Sequence, residues 1–201
     1  MWSIINTMLL TDETILKLEK KANDIRISII EMLVEAKSGH TAGALGMADI
    51  FTLFYFHILK HDPKNPAWPE RDRVVLSNGH ICPVLYAAMA HAGYFPVEEL
   101  KTLRKFGTRL QGHPHREYLP YVENSSGPLG SGLSQAVGMA LADKIDQKDP
   151  EGKQTSNGAG KAGMINSSSL AILLDAYQSM DNAFITELPL ELALVKIISR
   201  D

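Results

Sequence analysis

Three histidines of this sequence each follow a glycine, in Ser38-Gly39-His40, Ser77-Asn78-Gly79-His80 and Gln111-Gly112-His113-Pro114. Glycine lets the backbone approach a ligand closely. An imidazole beside it can donate to a phosphate or hydroxyl, or move a proton near neutral pH. A fourth motif, Gly127-Pro128-Leu129-Gly130, carries no titratable group and offers backbone alone. His80 has the strongest local case. It stands where a strand is expected to hand over to a helix, where unpaired N–H groups and the helix dipole favour a phosphate. One Gly-His pair is usually a loop end or a capped helix. Four motifs in one order are more informative than any of them singly.

The elements that must position these residues can be read from apolar spacing. Ile15, Leu18, Ala22, Ile25, Ile29, Met32 and Ala36 alternate steps of three and four, which predicts one face of a long helix ending near Gly39. A second helical stretch runs from Met47 to Leu59 and stops before Asp62-Pro63-Lys64-Asn65-Pro66. The β-branched run Arg73-Val74-Val75-Leu76-Ser77 reads as a buried strand, and a helix through Ala90 follows the Asn78-Gly79-His80 turn. Pro96 suits the first turn of a short helix through Lys105. Residues 107–132 are rich in Gly, Pro and Ser, and another helix should reach Lys144. A Gly-rich stretch of that length points to a site rather than a tether.

Composition excludes several classes. The chain has 201 residues, of which 45% are apolar and 21% charged, enough for one domain, or one and a small appendage, with a real core. A net charge of -3 makes no case for nucleic acid or an acidic membrane surface. Small molecules are the expected partners. The single cysteine, Cys82, can form neither an internal disulfide nor a Cys-rich zinc site, which suits a reducing, cytoplasmic setting. Cys82 could be activated by its place at a helix start, but a small buried residue is the expected role. The apolar start Met1-Trp2-Ser3-Ile4-Ile5 lacks a basic flank and makes a poor signal peptide. No run is long enough to span a bilayer.

After Asp149 the composition changes. Residues 150–169 have linker character, and residues 170–201 suggest two short amphipathic helices through Leu170, Leu173, Leu174 and Tyr177, then Leu188, Leu192, Val195 and Ile198. Gly158-Ala159-Gly160-Lys161 superficially looks like a phosphate loop. The required first glycine falls on Thr155, however, Ala follows the lysine, and no strand precedes it.

The four motifs, together with Lys60-His61-Asp62-Pro63-Lys64-Asn65-Pro66, Arg71-Asp72-Arg73 and Ala136-Val137-Gly138-Met139-Ala140-Leu141-Ala142, resemble the N-terminal region of transketolases, especially the form split into two chains. The resemblance runs from about Leu18 to Asp149. It implies an α/β, helix-rich thiamine-diphosphate-binding fold with a mostly parallel sheet whose later strands are missing, over residues 1–149, plus a helical tail. It also implies transfer of a two-carbon ketol unit between sugar phosphates. By that likeness His80 contacts the cofactor's diphosphate. Gly127, Pro128 and Leu129 lie against its aminopyrimidine and thiazolium rings, and His40 and His113 stand near the reacting carbon. The implied partners are a C-terminal transketolase subunit and a second copy, in a homo- or hetero-oligomer.

The sequence also departs from that family. Transketolases continue after the Ala-rich helix with Gly-Asp-Gly and a later Asn, which hold Mg²⁺ on the diphosphate. Here Pro150-Glu151-Gly152-Lys153 follows, no Gly-Asp-Gly is present, and no residue is assigned to metal. Mg²⁺ is therefore expected from the family but lacks its usual ligands. The expectation is a chain that is a poor enzyme alone. A non-catalytic scaffold or oligomerisation module, or a truncated fragment, stays open as the alternative.

Overall fold

The computed structural model describes residues 11–146. The linker-like segment 150–169 and the tail 170–201 lie outside them. Helix α1 spans Asp12–Ala36. Thr11 caps it by accepting a hydrogen bond from the Thr14 amide at 3.2 Å, and Asp12 and Glu13 complement the dipole in the first turn. Its buried face is Ala22, Ile25, Ile29, Met32 and Leu33, so the predicted spacing is realised in the second half, while Ile15 at the start is exposed. The helix stops at Lys37, which turns left-handed and returns its N–H to the Val34 carbonyl. Gly39 then continues at φ +130° rather than forming the helix end itself.

The stretch expected as a second helix is built in pieces: α2, Ala42–Gly46; α3, Ala48–Leu53; and one π turn, Phe54–Ile58. The π turn closes with Leu59 N–H donating to the Phe54 carbonyl at 2.9 Å. It leaves the neighbouring rings of Phe54 and Tyr55 both buried, with Tyr55 stacked on Phe51. Helix α4, Cys82–Ala92, is the centre of the molecule. Every residue from Cys82 to Ala90 is buried, Pro83 sits in its first turn, and Gly93 caps it at φ +95°. Helices α1, α2 and α3 pack around it, as does a 3₁₀ turn, Val97–Thr102. That turn starts after Pro96 and ends short of Lys105, because Leu103 becomes extended and Arg104 left-handed. Helix α5, Ser131–Asp146, closes the described part.

The sheet expected from the sequence is not seen among the described residues, which contain no strand. Residues 73–76 run without helix or ladder, and Leu76 is buried as predicted. A strand exists only where a neighbour accepts its backbone hydrogen bonds. Side chains and a helix start clasp this segment instead: Asn124 Nδ2 donates to the Leu76 carbonyl at 3.2 Å, and the Gly132 amide donates to Ser77 Oγ at 3.2 Å. No helix among the described residues is long and apolar enough to cross a membrane.

Candidate functional site

Helix α4 organises the site from its N-terminal end. The 3₁₀ turn Gly79–Ile81 leads into it and carries His80. On one side Gly43 of α2 packs so closely on Ile81 that a Cβ there would lie 2.7 Å from Ile81 Cγ2. That contact seats α2 and the His40 loop before it, and the His40 and His80 rings meet edge to face with centroids 5.0 Å apart. On the other side α4 holds the His113 loop by its backbone. The Tyr86 hydroxyl donates to the Gln111 carbonyl at 2.9 Å and the Cys82 thiol to the Gly112 carbonyl at 3.2 Å.

Ser126 ties the remaining motif to both. Its amide donates to the Pro114 carbonyl at 3.1 Å, next to His113. Its side chain covers Gly79, where a Cβ would fall 2.5 Å from Ser126 Oγ and 3.0 Å from the Ser126 carbonyl carbon and oxygen. Gly79 is thus required for close approach, as the glycine argument anticipated. Ser126 is 8% exposed, and its hydroxyl has no hydrogen-bond partner among the described residues. A buried polar atom of this kind calls for a partner. Gly127 follows in open space, with Pro128 and Leu129 exposed beyond it, and the Pro128 carbonyl accepts from Ser131 Oγ at 2.8 Å at the start of α5.

The structure therefore brings His40, His80 and His113 together, with Gly127 one residue from the Ser126–Gly79 contact. His113 is held below the usual histidine range, first by partial burial and then by the charges of His80, His40 and Arg104. It is consequently neutral at neutral pH and can accept a proton. Other histidines serve packing: His91 bonds Ser28 at 2.9 Å, and His61 stacks on Tyr94 while bonding the Tyr55 carbonyl at 2.8 Å. Ser126, Arg104 and the Tyr86 anchor were not singled out in the sequence, whereas Cys82 was, as a small buried residue. Ser126 directly precedes a quoted motif, while Arg104 and Tyr86 carry no local signal.

Three imidazoles, one buried orphan hydroxyl and an open glycine backbone fit a polar, anionic organic ligand. Among the described residues no group of three or more acidic, His or Cys side chains could hold a metal ion.

Cys82 belongs to the anchoring, not the chemistry. Burial pushes its thiol up to about 12, against smaller opposing effects of Tyr86 and Arg104. The thiolate is the reactive form. We therefore expect the folded chain to resist alkylation by iodoacetamide at pH 8 and to react once denatured. The protein's single cysteine makes the mass-spectrometric readout unambiguous. Alkylation of the folded chain at the denatured rate would contradict the anchoring role.

The family described as transketolase, thiamine diphosphate binding domain, matches residues 18–158. The chain is 46% identical over 129 residues to the 6-deoxy-6-sulfo-D-fructose transketolase subunit SqwG of Clostridium sp. (strain MSTE9), covering 64% of this chain and 47% of that protein. It is also 46% identical over 124 residues to transketolase 1 of Escherichia coli (strain K12), covering 61% of this chain and 19% of that one. Among solved structures, transketolase from Leishmania mexicana superposes with a TM-score of 0.61 at 41% identity, over 63% of this chain and 19% of that chain. The enzyme from Campylobacter jejuni gives 0.59 at 42%, over 65% and 20%. The matched region thus spans about half the length of the subunit relative and about a fifth of the others.

Proposed function

The chain belongs to the transketolase thiamine-diphosphate-binding family, and from that premise we propose that residues 1–149 hold thiamine diphosphate and, with a second chain that completes the site, transfer a two-carbon ketol unit between sugar phosphates. The observation that carries this reading is the convergence of the three Gly-His motifs around the N-terminal end of α4, with His40 against His80 and both acting on His113. His80 would contact the diphosphate, and Gly127, Pro128 and Leu129 would line the rings. When bound, thiamine diphosphate supplies the nucleophilic carbon that accepts the two-carbon unit. His40 and His113 would orient the ketose by its hydroxyls, and the neutral ring nitrogen of His113 would accept a hydroxyl proton. One relative is a subunit for 6-deoxy-6-sulfo-D-fructose by its name, so a ketose ending in sulfonate is a second candidate donor.

In this reading residues 73–77 form a strand of the family's parallel sheet once neighbouring strands are supplied. Residues 150–169 would link to a tail, 170–201, that takes part in oligomerisation. Mg²⁺ would need ligands other than a Gly-Asp-Gly motif. That missing motif favours the second reading, a non-catalytic scaffold that keeps the fold without the cofactor.

Titration of the purified chain with thiamine diphosphate by calorimetry, with and without Mg²⁺, separates the two. We expect binding, and in His80→Ala a loss of roughly ten- to a hundredfold, the effect of about 1.5–3 kcal/mol from one hydrogen bond to a charged group. Absence of binding at millimolar cofactor would leave the scaffold.

A further inference from the structure

Arg104 lies outside all four motifs, yet its side chain enters the histidine cluster. Its backbone is left-handed at φ +60°, a conformation that costs an L residue about 1 to 3 kcal/mol and persists where its surroundings hold it. The holding contact is its N–H, which donates to the Leu110 carbonyl at 2.9 Å. From there the side chain passes beneath the glycines that precede two of the histidines. A Cβ on Gly112 would lie 3.3 Å from both Cζ and Nε of Arg104. A Cβ on Gly39 would lie 3.8 Å from its Nη1, and 2.5 Å from Leu33 Cδ2.

The neighbouring cations are engaged: Lys105 with Glu35 at 2.5 Å, and Arg109 with Glu99 through two bonds at 2.6 and 2.9 Å. The Arg104 guanidinium has neither an ion pair nor a hydrogen bond among the described residues. Arg104 is exposed and its charge is satisfied by water, so the telling feature is its contact with two site glycines from a left-handed backbone.

We propose that Arg104 is a positioning residue for the histidine cluster: its guanidinium is the common floor on which the Gly39-His40 and Gly112-His113 loops close. The use made of the His113 imidazole rests on the function proposed above; the placement does not. Partial burial is the first influence holding His113 below the ordinary range, and the charges of His80, His40 and Arg104 add to it. His40 and His80 repel it only when they are themselves protonated. Arg104 is charged at every accessible pH. Behind the loop, Cys82 and Tyr86 are kept neutral by burial, and Lys105 is neutralised by Glu35.

The test is a histidine-ring NMR titration of the ligand-free full chain, with His61, locked against Tyr55 and Tyr94, as internal control. In Arg104→Gln the His113 midpoint should move up towards the ordinary histidine value while His61 stays put, and Arg104→Lys should retain the parent midpoint. Gly112→Ala, which crowds the guanidinium, should raise the His113 midpoint in the parent and leave it unchanged in the Arg104→Gln background. A His113 midpoint that is unmoved or lowered in Arg104→Gln overturns the proposal. So do equal shifts from Gly112→Ala in both backgrounds. Because no cofactor is present, a chain that binds no thiamine diphosphate can still pass this test, and one that binds it can still fail.

Discussion

Replacing Glu123 by Ala should cost the fold about 3 kcal/mol, the lower end of what removal of one partner from a buried ion pair costs. Its carboxylate takes Arg71 at 2.6 Å on one oxygen and Arg73 at 3.4 Å on the other. All three side chains are less than a fifth exposed. Without the carboxylate two guanidinium groups face each other with little water. Arg71 is already strained in this respect, since its Nη1 is buried without a partner and its Nε is committed to the Pro66 carbonyl at 2.7 Å. Glu123→Gln should be nearly as damaging, because its amide nitrogen presents a donor to a donor. The control is Glu13→Gln, which breaks the exposed Lys17–Glu13 pair and should change stability by less than about 1 kcal/mol. Urea denaturation of the full chains measures all three. A Glu123→Ala loss no larger than the control would show that the triad is solvated and unimportant. Asn124 follows Glu123 and holds Leu76, so the same substitution should loosen the path to Ser126 and Gly127.

The second large effect is expected at Gly132. A Cβ there would sit 2.6 Å from Ser77 Cα, 2.7 Å from Ser77 Cβ and 3.0 Å from the Ser77 nitrogen. Two of the three obstacles are backbone, so no rotamer change relieves them and the first turn of α5 must move. Gly132→Ala should therefore destabilise by about 2 to 3 kcal/mol, the upper part of the overpacking range, despite alanine's better helix propensity. Gly138, also in α5, has nothing within 4 Å of its would-be Cβ and should gain up to about 1 kcal/mol from the same change. Opposite signs at the two positions in thermal melts are the expected result. A stabilised Gly132→Ala chain would mean that α5 does not pack on residue 77 in solution.

What could be read from the sequence was local. Ala22, Ile25, Ile29 and Met32 announce the buried face of α1 because helical periodicity is written in the chain itself. Gly79 and His80 were recognisable because close approach demands glycine. The Arg73–Ser77 strand was inferred from β-branched residues, but a ladder is a property of two segments, and no partner for it lies among the described residues. The π turn was hidden for a similar reason: Phe54 and Tyr55 suit an α-helix equally well, and only their joint burial against Phe51 and Tyr94 selects the wider turn. Arg104 illustrates the limit best. Nothing in Leu103-Arg104-Lys105 marks it for the site until the fold brings Gly39 and Gly112 to its exposed side chain.

Helix α4 is buried along nearly its whole length, and Leu110 and Pro114 moor the His113 loop in the same core, whereas His40, Pro128 and Leu129 stand on exposed loop positions. Segments with few buried apolar contacts open locally at a fraction of the global unfolding free energy. On warming, the His40 and Gly127 arms should therefore fray from a hub that is still intact and still holds His113. The site then has its own melting behaviour, earlier and less cooperative than that of the core, and any ligand that spans the arms acts as a clasp.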